Sequence, residues 1–183
     1  VQIKRDNPGK TLVVMGCYPQ RYGKQLSSKY PEVDFWIGVN DFPFINEILT
    51  QKAPNQVFIN KPLYLYDEST ERLLSTPSHY AYVKITEGCN HRCSYCVIPS
   101  IRGKQRSRQI NSIQKEALQL VDQGVKEIIL IGQDIGHFGL DWSGKKELAN
   151  LLHALDHSLP NRTWIRLLYL SPDSIDNRLI ETI

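Results

Sequence analysis

The sequence predicts an α/β fold, and three features predict it: short apolar runs that end at glycine, amphipathic helical patterns between them, and a regular strand-helix alternation through the second half. At 183 residues, 41% hydrophobic and 22% charged, the chain can build one sizeable core or two modest ones. No run of eighteen apolar residues occurs, and VQIKRDNPGK lacks the apolar stretch of a secretory signal, so a cytoplasmic protein with no membrane association is expected. A balance of 22 Lys+Arg against 19 Asp+Glu is too mild to argue for nucleic acid or membrane by itself.

In the first half, "TLVVMGC" (11–17) and "DFWIGV" (34–39) read as buried strands. Helices are expected at about 20–30 and at 41–51, the second with Asp41 as N-cap and Phe42, Ile45, Ile48 and Leu49 on one face. Pro54, Pro62, Pro77 and the polar "DEST" (67–70) mark a connection, with a strand at "QVFI", and a boundary near residue 77.

The second half is more regular. "YAYVKI" (80–85) alternates like a strand, and Asn111 can cap a helix with Ile113, Ala117, Leu120 and Val121 inward and Gly124 as its stop. "VKEIILIG" (125–132) reads as a parallel strand covered on both faces. A helix carrying Leu148, Leu151, Leu152 and Leu155 follows, then a strand at "WIRLLYL" (164–170). Ser171 and Pro172 next suit the start of a helix that turns Ile175, Leu179, Ile180 and Ile183 inward. Such β-α units build a doubly wound sheet or a (β/α) barrel, and both collect their chemistry at the C-terminal ends of strands. The segments "EGCNHRCSYCVIPS" (87–100), "GQD" (132–134) and "SPD" (171–173) all follow expected strands.

Cys89, Cys93 and Cys96 stand within eight residues, with Cys17 remote. Bridges inside so short a segment would restrain little of the unfolded chain, which favours ligation of an inorganic centre by reduced thiols. Three thiolates on a four-iron cube leave one iron open for an exogenous ligand. A zinc site would add His91, but His91 lies between the first two cysteines and no second Cys/His pair follows. An electron carrier would want a fourth nearby cysteine.

The C-x3-C-x2-C spacing, with Tyr95 before its last cysteine, resembles the radical S-adenosylmethionine superfamily. More narrowly, "HYAYVKITEGCNHRCSYCVIPSIRGKQRSR" (79–108), "EIILIGQD" (127–134), "FGLD" (138–141) and "WIRLLYLSPD" (164–173) resemble its methylthiotransferase family. "VIPSIRG", "GQDI" and "YLSPD" side with the branch that modifies an aspartate of the twelfth small-subunit ribosomal protein. The tRNA adenosine branch typically reads "VVPYTRG", "GQNV" and "TSHP".

The resemblance implies a transferase that inserts sulfur and a methyl group at the aspartate β-carbon, using a 5'-deoxyadenosyl radical to remove hydrogen. By residue, it implies that Cys89, Cys93 and Cys96 hold a [4Fe-4S] cluster whose open iron chelates S-adenosylmethionine, with Tyr95, Gln133 and Asp134 near that cofactor. Read alone, Tyr95 is equally a packing residue, and a polar residue at a strand end can cap the next helix. Cys17 alone reads as a free buried cysteine; the resemblance makes it a ligand of a second [4Fe-4S] cluster whose other ligands would precede residue 1.

The resemblance also implies the fold: the C-terminal part of a Rossmann-like N-terminal domain over 1–52, a linker over 53–77, and the first half of a partial TIM barrel over 78–183. The chain is then expected to be an internal fragment, inactive in sulfur transfer. A TRAM domain offering RNA contact would be missing, an electron donor of flavodoxin or ferredoxin type is implied, and no residue is assigned as catalytic. The basic run "RGKQRSR", with Arg102, Lys104, Arg106 and Arg108, is a solvated loop, a phosphate site, or a contact to cofactor or an acidic protein loop. The non-enzyme alternative is a zinc or iron-sulfur module contacting RNA.

Overall fold

The computed structural model describes residues 2–51 and 55–183. In chain order the elements are α1 (Gln2–Asp6), β1 (Val13–Met15), α2 (Cys17–Lys29), β2 (Phe35–Ile37), α3 (Ile45–Leu49), β3 (Gln56–Phe58), β4 (Tyr80–Lys84) and β5 (Thr86–Glu87). There follow α4 (Ile98–Arg102), β6 (Arg106–Ser107), α5 (Ile110–Asp122), β7 (Glu127–Ile131), α6 (Leu140–Ser143), α7 (Leu148–Ser158), β8 (Trp164–Leu167) and α8 (Asn177–Thr182). They divide into two compact units: Val1–Tyr64 with His91–Gly103, and Leu65–Asn90 with Lys104–Ile183.

The first unit is built on a parallel sheet of order β1-β2-β3, in which Phe35, Trp36 and Ile37 of the central strand are all buried. Both faces of that strand are covered, which is why its apolar run is continuous rather than alternating. Gly16 turns the chain from β1 into α2 at φ +116, a conformation open to glycine, so the helix starts at Cys17, earlier than the expected residue 20. The helix expected over 41–51 is a 3-10 turn, Phe42–Phe44, followed by the short α3, and Leu49 is exposed. Asp41 does not cap it by side chain. Its carboxylate accepts instead from Asn60 N–H at 3.2 Å and Asn60 Nδ2 at 2.6 Å, tying the start of that turn to the chain beyond β3.

Of the connection expected over 53–77, β3 joins the first sheet and 65–77 belongs to the second unit; the expected boundary at 52/53 lies outside the described residues. Segment 65–77 is held by polar side chains and by half-buried Leu74 against the second core, an attachment without hydrophobic period. Arg72 donates to Tyr82 O at 2.9 Å and Thr76 Oγ1 to Tyr80 O at 3.0 Å. Hydrogen bonding to Ser112 comes first among the causes that pull the Glu68 carboxyl down to about 2, with Lys115 adding to it.

The second unit carries the parallel sheet β4-β7-β8 in sequential order, with Tyr80 opposite Glu127 and Glu127 opposite Trp164. Ala81, Val83, Ile85, Ile128 and Leu130 pack with Ile113, Ala117 and Leu120 of α5, with Leu148, Leu151, Leu152 and Leu155 of α7, and with Leu179 of α8. Strands in sequence with helices on one face make the opening wall of the expected partial barrel. Helix α5 starts after Gln109, not Asn111, and ends in a Schellman arrangement: Val125 N–H bonds Leu120 O at 3.1 Å, and Gly124 N–H, at φ +98, bonds Val121 O at 2.9 Å. The helix expected from Ser171 is interrupted. Ser171 leads only a 3-10 turn, and α8 begins anew at Asp176, whose carboxylate accepts from Leu179 N–H. That reset leaves Leu179 buried and Ile175, Ile180 and Ile183 exposed, contrary to the apolar face expected from spacing.

Candidate iron-sulfur and S-adenosylmethionine site

The cysteine loop does not leave β4 directly. Ile85 N–H bonds Ile131 O at 2.9 Å, and the chain then forms a two-residue antiparallel ribbon in which Thr86 faces Ser107 and Glu87 faces Arg106. Residues 88–105 are thus an excursion that departs from β5 and returns at β6. Within its stem, Asn90 Oδ1 accepts from Gln105 N–H at 3.1 Å.

All four cysteines are free thiols. Cys89 is buried and counts with the second unit, whereas Cys93 and Cys96 are exposed and count with the first, joined by a turn in which Cys96 N–H donates to Cys93 O at 3.0 Å. Three unbridged thiols on one strand-end loop form a soft donor set that fits an iron-sulfur cluster. Tyr95, between them, is 88% exposed, so it is not a packing residue of a core.

Cys17, the first residue of α2, is half-buried rather than buried, and its Sγ accepts from Arg102 Nη2 at 3.3 Å. Sequence offered no signal for a partner 85 residues away.

Gln133 and Asp134 follow β7 but differ. Gln133 is exposed, while Asp134 is buried with its carboxylate accepting from Gly136 N–H at 3.1 Å and meeting His137 Nδ1 at 2.6 Å. Asp134 therefore caps the 3-10 turn Ile135–His137, the role a strand-end carboxylate takes when orphan N–H groups follow it.

The basic run is partly internal: Arg108 is buried, Arg102 and Arg106 are half-buried and Lys104 is exposed. Arg108 is 3% exposed and donates to Lys84 O at 3.1 Å, to Ser112 Oγ at 2.9 Å and to Glu116, whose other oxygen takes Arg72 at 2.6 Å. Burial pulls the Arg106 guanidinium below its ordinary value, against the opposing pull of Glu87 and Asp141. With Arg102 on Cys17, Lys104 is the exposed one of the four, so the run is not a wholly solvated loop. A run with a basic residue at every second position does not announce this, because the carboxylate partners lie outside it, Glu116 in α5 and Asp141 in α6 after β7.

The family model for the radical SAM superfamily matches residues 83–182, more than half of the chain. The chain belongs to that superfamily. Among curated proteins it is similar to the ribosomal protein uS12 methylthiotransferase RimO of Trichlorobacter lovleyi, 46% identical over 181 residues that cover 97% of this chain and 40% of that protein. The same enzyme of Syntrophus aciditrophicus is 45% identical over 186 residues, covering 98% and 41%. The chain thus spans about two fifths of the length of the curated relatives it matches. A solved structure of the radical S-adenosylmethionine methyltransferase TsrM from Kitasatospora setae aligns with a TM-score of 0.46 at 21% identity, over 61% of this chain and 23% of that one.

Proposed function

We propose that this chain provides the cluster-binding part of a radical S-adenosylmethionine methylthiotransferase that modifies the β-carbon of an aspartate in ribosomal protein uS12. The observation that carries the reading is the set of three free thiols on the loop after the first strand of the second sheet, inside the superfamily match. Similarity to RimO along 97% of the chain supports the substrate.

In this reading Cys89, Cys93 and Cys96 hold a [4Fe-4S] cluster, and S-adenosylmethionine binds beside it. When bound, the cluster supplies the electron that splits the sulfonium into methionine and a 5'-deoxyadenosyl radical, which removes hydrogen from the aspartate. Exposed Tyr95 offers its ring and backbone to the adenine. Gln133 offers an amide at the strand end, and Asp134 keeps that end in shape through Gly136 and His137. Cys17 serves a second [4Fe-4S] cluster that takes part in sulfur insertion, with Arg102 donating to its sulfur. A low-potential flavodoxin- or ferredoxin-type donor and a cytoplasmic location complete the reading. Among the described residues no helix is long and apolar enough to cross a membrane.

The test uses a protein of the relatives' full length carrying this chain, reconstituted anaerobically and incubated with S-adenosylmethionine, reductant, and either uS12 or tRNA. Brown protein, release of 5'-deoxyadenosine and a methylthio mass gain on uS12 are expected. Modification of tRNA alone would move the substrate to the other branch of the family. Colourless, zinc-loaded protein with no cleavage would leave only a metal-binding module.

A further inference from the structure

The "FGLD" stretch after β7 has no role in the reading so far, yet it grips the stem of the cysteine loop. A two-residue antiparallel ribbon is marginal by itself, and closing an eighteen-residue excursion such as 88–105 costs chain entropy that the ribbon must hold. Here the returning strand is bound from its other side as well. Asp141 Oδ2 accepts from Ser107 N–H at 3.0 Å, and Ser107 Oγ accepts from Gly139 N–H at 3.0 Å. Ser107 is 6% exposed and its bond from Gly139 is shielded from competing water, while exposed Asp141 reaches the Ser107 N–H from the solvent side.

The gripping turn is itself anchored. Phe138 is fully buried in the second core, and its carbonyl accepts from Glu147 N–H at 2.7 Å. Gly139 sits at φ +83, where a Cβ would come within 2.4 Å of the Glu147 side chain, so the turn has one shape and admits one residue type. Beside it the Arg106 guanidinium feels both Glu87, from the departing strand, and Asp141.

We propose that Asp141 is a positioning residue for the cluster: it clamps the stem of the cysteine loop, and so couples the loop after β7 to the placement of Cys89, two residues beyond β5. This deepens the reading of Cys89, Cys93 and Cys96 as cluster ligands and rests on it. Outer groups of this kind orient ligands without touching the metal.

The test compares wild type, D141N and D141A in the full-length protein. Cluster affinity is read as iron bound per folded chain on anaerobic titration with iron and sulfide, and cofactor response as the change in the electron paramagnetic resonance of the reduced cluster when S-adenosylmethionine is added. Amide exchange at Ser107 is followed in the iron-free protein. D141A is expected to weaken cluster affinity about tenfold, to blunt the resonance change and to speed Ser107 exchange. D141N, which keeps an oxygen for Ser107 but no charge for Arg106, is expected to fall between.

Wild-type affinity and resonance in D141A would overturn the proposal. So would an iron loss that tracks lost helical dichroism, with the folded fraction binding as wild type does. Should D141A not fold, D141N decides: unchanged affinity with unchanged Ser107 exchange is equally fatal. Wild-type protein that takes up no iron would instead sink the cysteine reading, and the proposal with it.

Discussion

The two sheets share a parallel three-strand plan and differ in what holds them. In the first unit each strand is three residues long, and the buried apolar cluster consists of Phe35, Ile37 and Ile48 with half-buried neighbours. In the second, β4 and β7 are five residues long, and their core draws on two strands, three helices and the loop after β7. The first sheet leans on polar ties at its rims, such as Lys4 to Asp34 at 2.7 Å and Asp41 to Asn60. The second rests on packed Leu, Ile and Ala. A sheet that must carry strand-end chemistry gains from the second arrangement, because a close-packed core does not drift.

The largest difference between the units is expected from one cut made in both cores. Ile128→Ala and Ile37→Ala remove the same atoms from fully buried sites. We expect about 4 kcal/mol lost in the second unit and about 2 in the first, where a thin core collapses around the gap. Hydrogen exchange resolved by unit measures each, and equal losses would erase the distinction.

A polar test of the second unit comes next. Arg108→Met leaves Glu116, 10% exposed at its side chain, with Arg72 alone. Urea unfolding followed by Trp142 and Trp164 fluorescence should show a loss of about 3 kcal/mol, while Trp36 in the first unit reports no change. A smaller effect is due at α8. Asp176→Ala removes the only side-chain cap on that helix and should cost about 1 kcal/mol, seen as faster exchange at Leu179, whose N–H bonds the Asp176 carboxylate at 2.9 Å.

The smallest effect belongs to the first unit and depends on pH. Burial raises the Asp34 carboxyl, but Leu12 N–H and Lys4 outweigh it and hold the group below its ordinary value. A depressed carboxyl contributes stability that is present above the unfolded value of about 3.9 and is lost as pH falls through the folded value. Asp34→Asn should therefore remove below about 1 kcal/mol at neutral pH and flatten the acid limb for Trp36, leaving the Trp142 signal as it was.

Legibility in the sequence followed the size of the core. Leu148, Leu151, Leu152 and Leu155 were expected on one face of a helix, and all four are buried, because a thick core imposes its period on the chain. Ile175, Leu179, Ile180 and Ile183 were also expected on one helical face, yet Leu179 is buried and the three isoleucines are exposed, because Asp176 restarts the helix and rotates its face. A single cap outweighs apolar spacing where little core lies beneath.

Among candidate site residues, the crowding of Cys89, Cys93 and Cys96 was readable because donor type and close spacing are local properties of the chain. Partners were not. Arg102 meets Cys17 across 85 residues, Asp141 meets Ser107 across 34, and Arg108, just past β6, reaches Glu116 on α5 across 8. The sequence by itself determined the strand-helix alternation and the three crowded thiols, since periodicity and ligand chemistry are local. Only the tertiary structure decided which charges of the basic run face inward and which loop holds the stem beneath those thiols. Pairings of that kind depend on where distant segments meet, and a buried charge is tolerated only where its partner is placed.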